Sequence, residues 1–291
     1  MSVHQRIAIT GASGLIGTAL VGHLKAEGHT VQRLVRRAPV GADEVQWDPQ
    51  TGFVDLEPLR GVDAVIHLAG VGVGDKRWSK KYKSEILNSR LLGTTAIANA
   101  VTELKPQVFI SASAIGWYGE SGNRAVVETD RVGDDFLAAV CREWEAAADL
   151  AQDVRTVKIR TGLVLDPTGG ALGKMLPLFR LGLGGKLGNG KQWWSWITLH
   201  DQLRAIIFAL ENPISGPVNL TAPNPVTNQE FTAALARAMH RPALFPAPAI
   251  ALKIALGGFS SEVLGSKKVI PHVLQEAGFT WDYPHISEAL S

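Results

Sequence analysis

The sequence predicts a doubly wound α/β fold, and three observations lead there. Strand and helix signals alternate through the first half of the chain. The strands read as nearly continuous apolar runs, as expected of a parallel sheet covered on both faces. The first strand runs into a glycine-rich turn, "ITGASGLIG" at residues 9–17, and a helix follows at once.

Taken in order, "RIAIT" is a strand. "LIGTALVGHLKAEG" carries apolar residues at helical spacing and stops on Gly28. "HTVQRLVR" and "VDAVIHLAG" are strands, and "EILNSRLLGTTAIANAVTEL" is a long helix. "QVFISASA" is a strand, "DDFLAAVCREWEAAADLA" a helix and "RTVKIRTGLVL" one further strand. Helices of this length between strands imply parallel crossovers. From about residue 166 the texture changes. Residues 166–192 are glycine-rich and lack alternation. "WITLHDQLRAIIFALEN" is a short strand feeding a helix, with Asp201 as the expected cap. "TNQE" at 227–230 is a capping signature before the next helix. "LFPAPAIALKIALGGF" (244–259) reads as a buried helix or a hydrophobic substrate wall. The expected division is a dinucleotide-binding domain over 1–165, to which segments near 196–221 return. A smaller, partly interleaved substrate lobe takes 166–195 and 222–291.

Bulk properties narrow the function. Net charge is +2, and the densest basic cluster, "DKRWSKKYK" (75–83), is short and contains an acid. No nucleic-acid partner is expected. No apolar run reaches the roughly 20 residues of a membrane span, so no membrane partner is expected either. The single cysteine, Cys141, excludes an internal disulfide and fits a reducing cytoplasm; it reads as a packed core residue. Histidines and carboxylates lack metal-ligand spacing, so no metal is expected.

The turn at 9–17 has two readings: a tight glycine turn, or a cradle where a helix N-terminus meets a pyrophosphate. Its strand–turn–helix context favours the cradle, as in Rossmann-type folds. Gly11 permits the turn, Gly14 lets backbone approach the phosphates, and Gly17 lets helix and strand pack closely. Leu15 and Ile16 open the helix, and Thr10 and Ser13 offer hydroxyl donors. After the second strand stand Arg36 and Arg37, where an acid would hold the ribose of NAD(H). Guanidinium groups suit a 2′-phosphate, so NADP(H) is expected over NAD(H). The competing reading is a pair of surface arginines.

The spacing G-x-x-G-x-x-G and the later motifs resemble the short-chain dehydrogenase/reductase superfamily, in its extended, epimerase-like branch, over essentially the whole chain. "DKRW", "SRLLGT", "GKMLPLFRLGLGG" and "WITLHD", in this order, are similar to an atypical subgroup of epimerase-family oxidoreductases. The resemblance implies that Leu68, Ala69 and Gly70 line the cofactor. It places the serine strand at "FISASAIGWYG", with Ser111 and Ala112 beside the cofactor and Ser113 as catalytic serine. "IRTGLVL", with Arg160 and Gly162, lies by the nicotinamide. Arg90 and Glu85 on the long helix contact the dinucleotide, although Glu85 reads equally well as a solvated charge. Asp48 is implied at the adenine edge.

One departure stands out. The superfamily's Tyr-x-x-x-Lys pair, general acid and its lysine, is missing: Tyr82, Tyr118 and Tyr283 all lack Lys at the fourth following position. Tyr118, five residues after Ser113, is the candidate replacement acid; the alternative is that it packs under its loop. His67 and His200 read as structural. Trp78, Trp193, Trp194 and Trp196 are candidate substrate walls. The expected function is an NADP(H)-dependent oxidoreductase or epimerase-like enzyme acting on a small-molecule substrate. The alternative is a non-catalytic NADP(H)-binding sensor.

Overall fold

The computed structural model describes residues 4–291. Strands β1 (Arg6–Thr10), β2 (Thr30–Val35), β3 (Glu44–Asp48), β4 (Phe53–Val54) and β5 (Ala64–His67) come first. Helix α1 (Leu15–Ala26) links β1 to β2, and α2 (Lys80–Leu104) leads to β6 (Val108–Ala114). A two-residue strand β7 (Ala125–Val126), helix α3 (Phe136–Ala148) and β8 (Arg155–Thr161) follow.

The large sheet has the order β12-β8-β6-β5-β1-β2-β3-β4, where β12 is Gly216–Leu220. Every pairing is parallel except β3 with β4. The chain winds outward from β1 through β2 to β3, then returns to β5 on the other side of β1. The strand order therefore reverses between β1 and β5, and the carboxyl ends of these strands form the crevice where ligands bind in such sheets.

Side-chain alternation builds a core on each face of this sheet. Ile7 and Ile9 pack with Leu20 and Leu24 of α1 and with Ala205 and Ile206. Ala8, between them, faces Ile97 and Val101 of α2 and Ala148 of α3. Helix α2 starts on Ser79, whose hydroxyl accepts from Tyr82 N at 3.1 Å, and α3 on Asp135, which accepts from Ala138 N at 2.8 Å.

The run 155–165 is not one strand. It breaks at Gly162, where a Cβ would lie 2.7 Å from the Ser195 carbonyl oxygen. Beyond the break, β9 (Leu163–Asp166) pairs not with the large sheet but with the later β11 (Trp196–Thr198). Between them lie α4 (Gly170–Arg180) and β10 (Trp193–Trp194). After β11 come α5 (Leu199–Glu211), then β12, β13 (Val226–Thr227) and α6 (Asn228–Ala238). Leu172, Leu176, Phe179, Trp196, Phe231 and Leu235 form a separate core there. Trp196 is fully buried in it, which corrects its assignment as a substrate wall. Thr227 and Glu230 make the expected reciprocal cap of α6.

Two tail features differ from expectation. Asp201 is not the cap of α5; Thr198 is, accepting from Asp201 N at 3.0 Å. The buried Asp201 carboxylate instead accepts the N–H groups of Asp282 and Tyr283, each at 3.0 Å, and so fastens the C-terminal segment. Helix α7 (Ala249–Leu256) has no buried residue, so it is an exposed apolar helix and not a buried one. The chain ends through α8 (Ser260–Leu264), β14 (Lys268–Val269), α9 (His272–Glu276) and α10 (Ile286–Ala289). Among the described residues, no helix is long and apolar enough to cross a membrane.

Candidate functional site

A cleft of about 350 Å³ opens at the β1/β5 reversal. Its floor is the glycine turn with Leu15, Ile16 and Leu68; its far wall is Ala112, Ser113, Thr161 and Gly162. Trp144 of α3 and the start of α4, Gly170 and Ala171, complete it.

The glycines are dictated by contact. Gly11 sits at φ +70°, and a Cβ there would meet the Leu68 carbonyl carbon at 2.7 Å. A Cβ on Gly17 would lie 2.1 Å from the Gly11 oxygen. Gly14 caps α1 without any side chain, and no side-chain hydrogen bond closes that helix end. The first N–H groups of α1 therefore point unpartnered by any cap toward the cleft, with the positive end of the helix dipole behind them. This is the chemistry an anionic diphosphate requires.

Thr10 is placed otherwise than expected. It is fully buried, and its hydroxyl accepts from Leu68 N at 3.2 Å and Ala69 N at 3.3 Å and shares a 2.7 Å hydrogen bond with His67 Nδ1. It ties β1 to the end of β5 and does not line the cleft. Ser13 is exposed at the turn. His67 is buried beside the edge of Trp47, and desolvation pushes its pKa down to about 3, so the imidazole is neutral.

The two arginines separate. Arg37 turns back onto Glu44, donating to both carboxylate oxygens at 2.7 and 2.6 Å. Their mutual bonding raises the Arg37 pKa and lowers that of Glu44 to about 2. Arg36 is exposed and pairs with no carboxylate among the described residues. The pair expected to meet a 2′-phosphate thus reduces to Arg36.

Ser113 lines the far wall, nearly buried, and its hydroxyl donates to Glu145 Oε1 at 2.7 Å. Glu145 also receives Arg160 Nε at 2.8 Å and Nη2 at 2.9 Å. Arg160 Nη1 reaches the Tyr118 hydroxyl at 3.0 Å, and that hydroxyl donates to Asn219 Oδ1 at 2.7 Å. The guanidinium lies over the Trp117 ring at 3.9 Å. Two expectations are corrected here. Tyr118 does not enter the cleft: it is buried beneath it, both hydroxyl bonds are internal, and burial pushes its pKa up to about 12. Arg160 is committed to Glu145 and does not line the cleft. The "WYG" segment is held by this network, as the packing alternative for Tyr118 has it.

The remaining residues sort by position. Ala112 and Gly162 line the cleft, whereas Ser111 is fully buried behind it. Ala69 and Gly70 continue the β5 end past Leu68. Arg90 lies against Gly70, donating Nη1 to the carbonyls of Val71 at 2.9 Å and Ile86 at 3.1 Å, with its guanidinium 4.7 Å over Trp144. Glu85 is half-exposed and 3.8 Å from Lys76, off the cleft, as its solvated reading has it. Asp48 caps its own turn, accepting from Gln50 N and the Thr51 hydroxyl. Cys141 is buried, with its thiol pushed up to about 12. Trp78, Trp193 and Trp194 stand outside the cleft, and Trp78 Nε1 donates to Val73 O at 2.8 Å.

Trp144 is the wall residue that pattern reading missed. Its indole Nε1 is buried without a partner among the described residues. Helical periodicity marks it only as apolar, which is why the sequence did not single it out. The fold also gathers His200, Asp201 and Asp282, whose ligand atoms lie within 4.8 Å of one another. Arg204 Nη1 already serves both carboxylates, at 3.0 and 3.2 Å.

Comparison with known proteins gives a consistent result. The model of the NAD dependent epimerase/dehydratase family matches residues 7–221, and a domain of unknown function (DUF1731) matches 247–291. The Mycobacterium bovis epimerase family protein Mb2239 is 46% identical over 288 residues, 98% of this chain and 96% of that protein. An Arabidopsis thaliana relative, described as a chloroplastic epimerase family protein SDR39U1 homolog, is 39% identical over 98% of this chain and 85% of its own. The crystal structure of human epimerase family protein SDR39U1 with NADPH superposes with a TM-score of 0.90 at 34% identity, covering 98% of this chain and 97% of that one.

Proposed function

The chain belongs to the NAD dependent epimerase/dehydratase family, and on that premise we propose that it binds NADP(H) in the β1/β5 cleft and acts as an oxidoreductase or epimerase-like enzyme on a small hydroxyl- or carbonyl-bearing molecule. The observation that carries this reading is the uncapped start of α1, opening into the same cleft as Ser113. The Gly11, Gly14 and Gly17 backbone cradles the diphosphate, and Arg36 meets the 2′-phosphate. That the human relative was solved with NADPH supports the cofactor assignment. When bound, the nicotinamide supplies hydride exchange.

The protein's part at the reacting end rests on Ser113. Its proton is directed to Glu145, so its free lone pairs face the cleft. In that orientation it accepts a hydrogen bond from a substrate hydroxyl and holds it in place. Arg160 holds Glu145 in place through two hydrogen bonds, which maintains the orientation. The hydrophobic wall of Leu163 and Val164 and the Trp144 ring exclude water beside it.

The burial of Tyr118 favours a second reading, a dinucleotide sensor, because it leaves the cleft without a phenolic acid. One experiment separates the two. NADP⁺ or NADPH is incubated with a panel of sugar nucleotides, secondary alcohols and carbonyls, and both absorbance at the nicotinamide band and chromatographic conversion of the substrate to an epimer are followed in wild type and Ser113→Ala. Turnover that falls in the variant, with cofactor affinity retained, supports the enzyme. Tight cofactor binding with no turnover across the panel supports the sensor.

A further inference from the structure

We propose that the C-terminal lobe carries a peripheral docking face for anionic lipid bilayers, centred on α7 and independent of the cofactor cleft. Residues 167–200 and 231–261 contain no aspartate or glutamate, although the whole chain has 27 acids in 291 residues. The same two segments hold seven lysines and arginines. They are far apart in sequence, yet the fold lays them side by side. Ala247 N donates to Lys186 O and Gly188 N to Ala247 O, each at 2.9 Å, and Arg241 Nε reaches Arg180 O at 3.3 Å.

The apolar side chains on these strips face outward. Leu181 is 72% exposed and Leu244 73% on the adjoining strips; Ile250 is 74% and Ile254 69% on α7. Ile250 and Ile254 are four residues apart and share one helix face. Arg180, Arg241 and Lys253 are exposed among them.

The form and charge of the face select its occupant. With no residue of α7 buried, it is a ridge and not a groove, suited to a yielding acyl phase more than to a preformed protein pocket. A second copy of the chain would bring the same uncompensated cations against this face in a two-fold contact, which repels. Anionic headgroups supply the missing countercharge while the isoleucines and leucines enter the interface. The expectation of no membrane partner rested on the lack of a spanning helix, and a surface ridge needs none.

The test is flotation of the full chain with vesicles of phosphatidylcholine alone or of phosphatidylcholine with phosphatidylglycerol, at low and raised salt. Binding is expected to the anionic vesicles only and to weaken with salt. Ile250→Ser with Ile254→Ser is expected to lower partitioning about tenfold or more, because two inserting side chains are withdrawn. Both sites are exposed, so the thermal midpoint and NADPH affinity of this variant stay at wild-type values. Lys253→Glu is expected to weaken anionic binding without restoring neutral binding. The proposal is overturned by absence from both floated fractions, by equal binding to neutral vesicles, by indifference to the isoleucine pair, or by light scattering showing a stable dimer that the same pair dissolves.

Discussion

Gly17 and Gly22 lie five residues apart in α1, and alanine at the two positions is expected to act with opposite sign. At Gly22 a Cβ meets nothing within 4 Å, so Gly22→Ala exchanges a poor helix former for the best one. The gain is about 0.5–1 kcal/mol. At Gly17 the same propensity gain is available, but the Cβ lies 2.1 Å from the Gly11 oxygen, 2.8 Å from Gly11 C and 2.9 Å from the Ala12 Cα. All three are backbone atoms of the turn, and contact distance requires the turn to move by about 1 Å or more. Overpacking of this kind costs about 1–3 kcal/mol, so Gly17→Ala is expected to lose about 1–2 kcal/mol net. Displacing the turn also misaligns the helix-start N–H groups. Each charge-assisted bond carries about 1.5–3 kcal/mol, so NADPH affinity is expected to fall roughly tenfold to a hundredfold. Urea unfolding and fluorescence titration with NADPH measure the two effects. Equal stability shifts at Gly17 and Gly22, or unchanged affinity in Gly17→Ala, would refute the close-approach argument.

Three further outcomes follow from the buried polar groups. The His67 pKa lies near 3 in the fold and near 6.5 unfolded, so the unfolded chain binds the extra proton first and stability falls as pH drops from about 6.5 toward 3. The loss between pH 7 and pH 5 is about 2 kcal/mol, read by denaturant midpoints, and His67→Leu is expected to flatten that slope. Glu145→Ala strands the buried Arg160 cation and is expected to destabilise by about 3–5 kcal/mol, measured calorimetrically; a loss under about 1 kcal/mol would show the pair to be solvated. Tyr118→Phe removes one hydroxyl from the network and is expected to cost about 1–2 kcal/mol with NADPH affinity unchanged, so a large change in affinity would return Tyr118 to the cleft.

Much of the fold was legible because period and punctuation carry it. The apolar strands, Gly28 and the Thr227–Glu230 cap are local signals, and local contacts realise them. The glycine turn was legible because its glycine spacing is a local signal, although Gly11 itself packs against Leu68 at the distant end of β5. What failed depends on partners that no spacing pattern names. Arg37 is drawn aside by Glu44, Thr10 by His67, and Asp201 by the N–H groups of Asp282 and Tyr283. Tyr118 is claimed by Arg160 and Asn219, the latter 101 residues away. Gly162 breaks a strand that alternation reads as continuous, because the Ser195 carbonyl crosses there. Hydropathy over 244–259 reads as a buried helix or a hydrophobic substrate wall, and hydropathy alone cannot tell either from an unpartnered ridge.

The most direct measurement is calorimetric titration of NADPH and NADH into the wild-type protein and into Arg36→Ala and Arg37→Ala. NADPH is expected to bind more tightly than NADH, with the preference lost in Arg36→Ala and kept in Arg37→Ala. Tighter binding of NADH, or binding of neither, would contradict the assignment of the α1 cleft as an NADP(H) site.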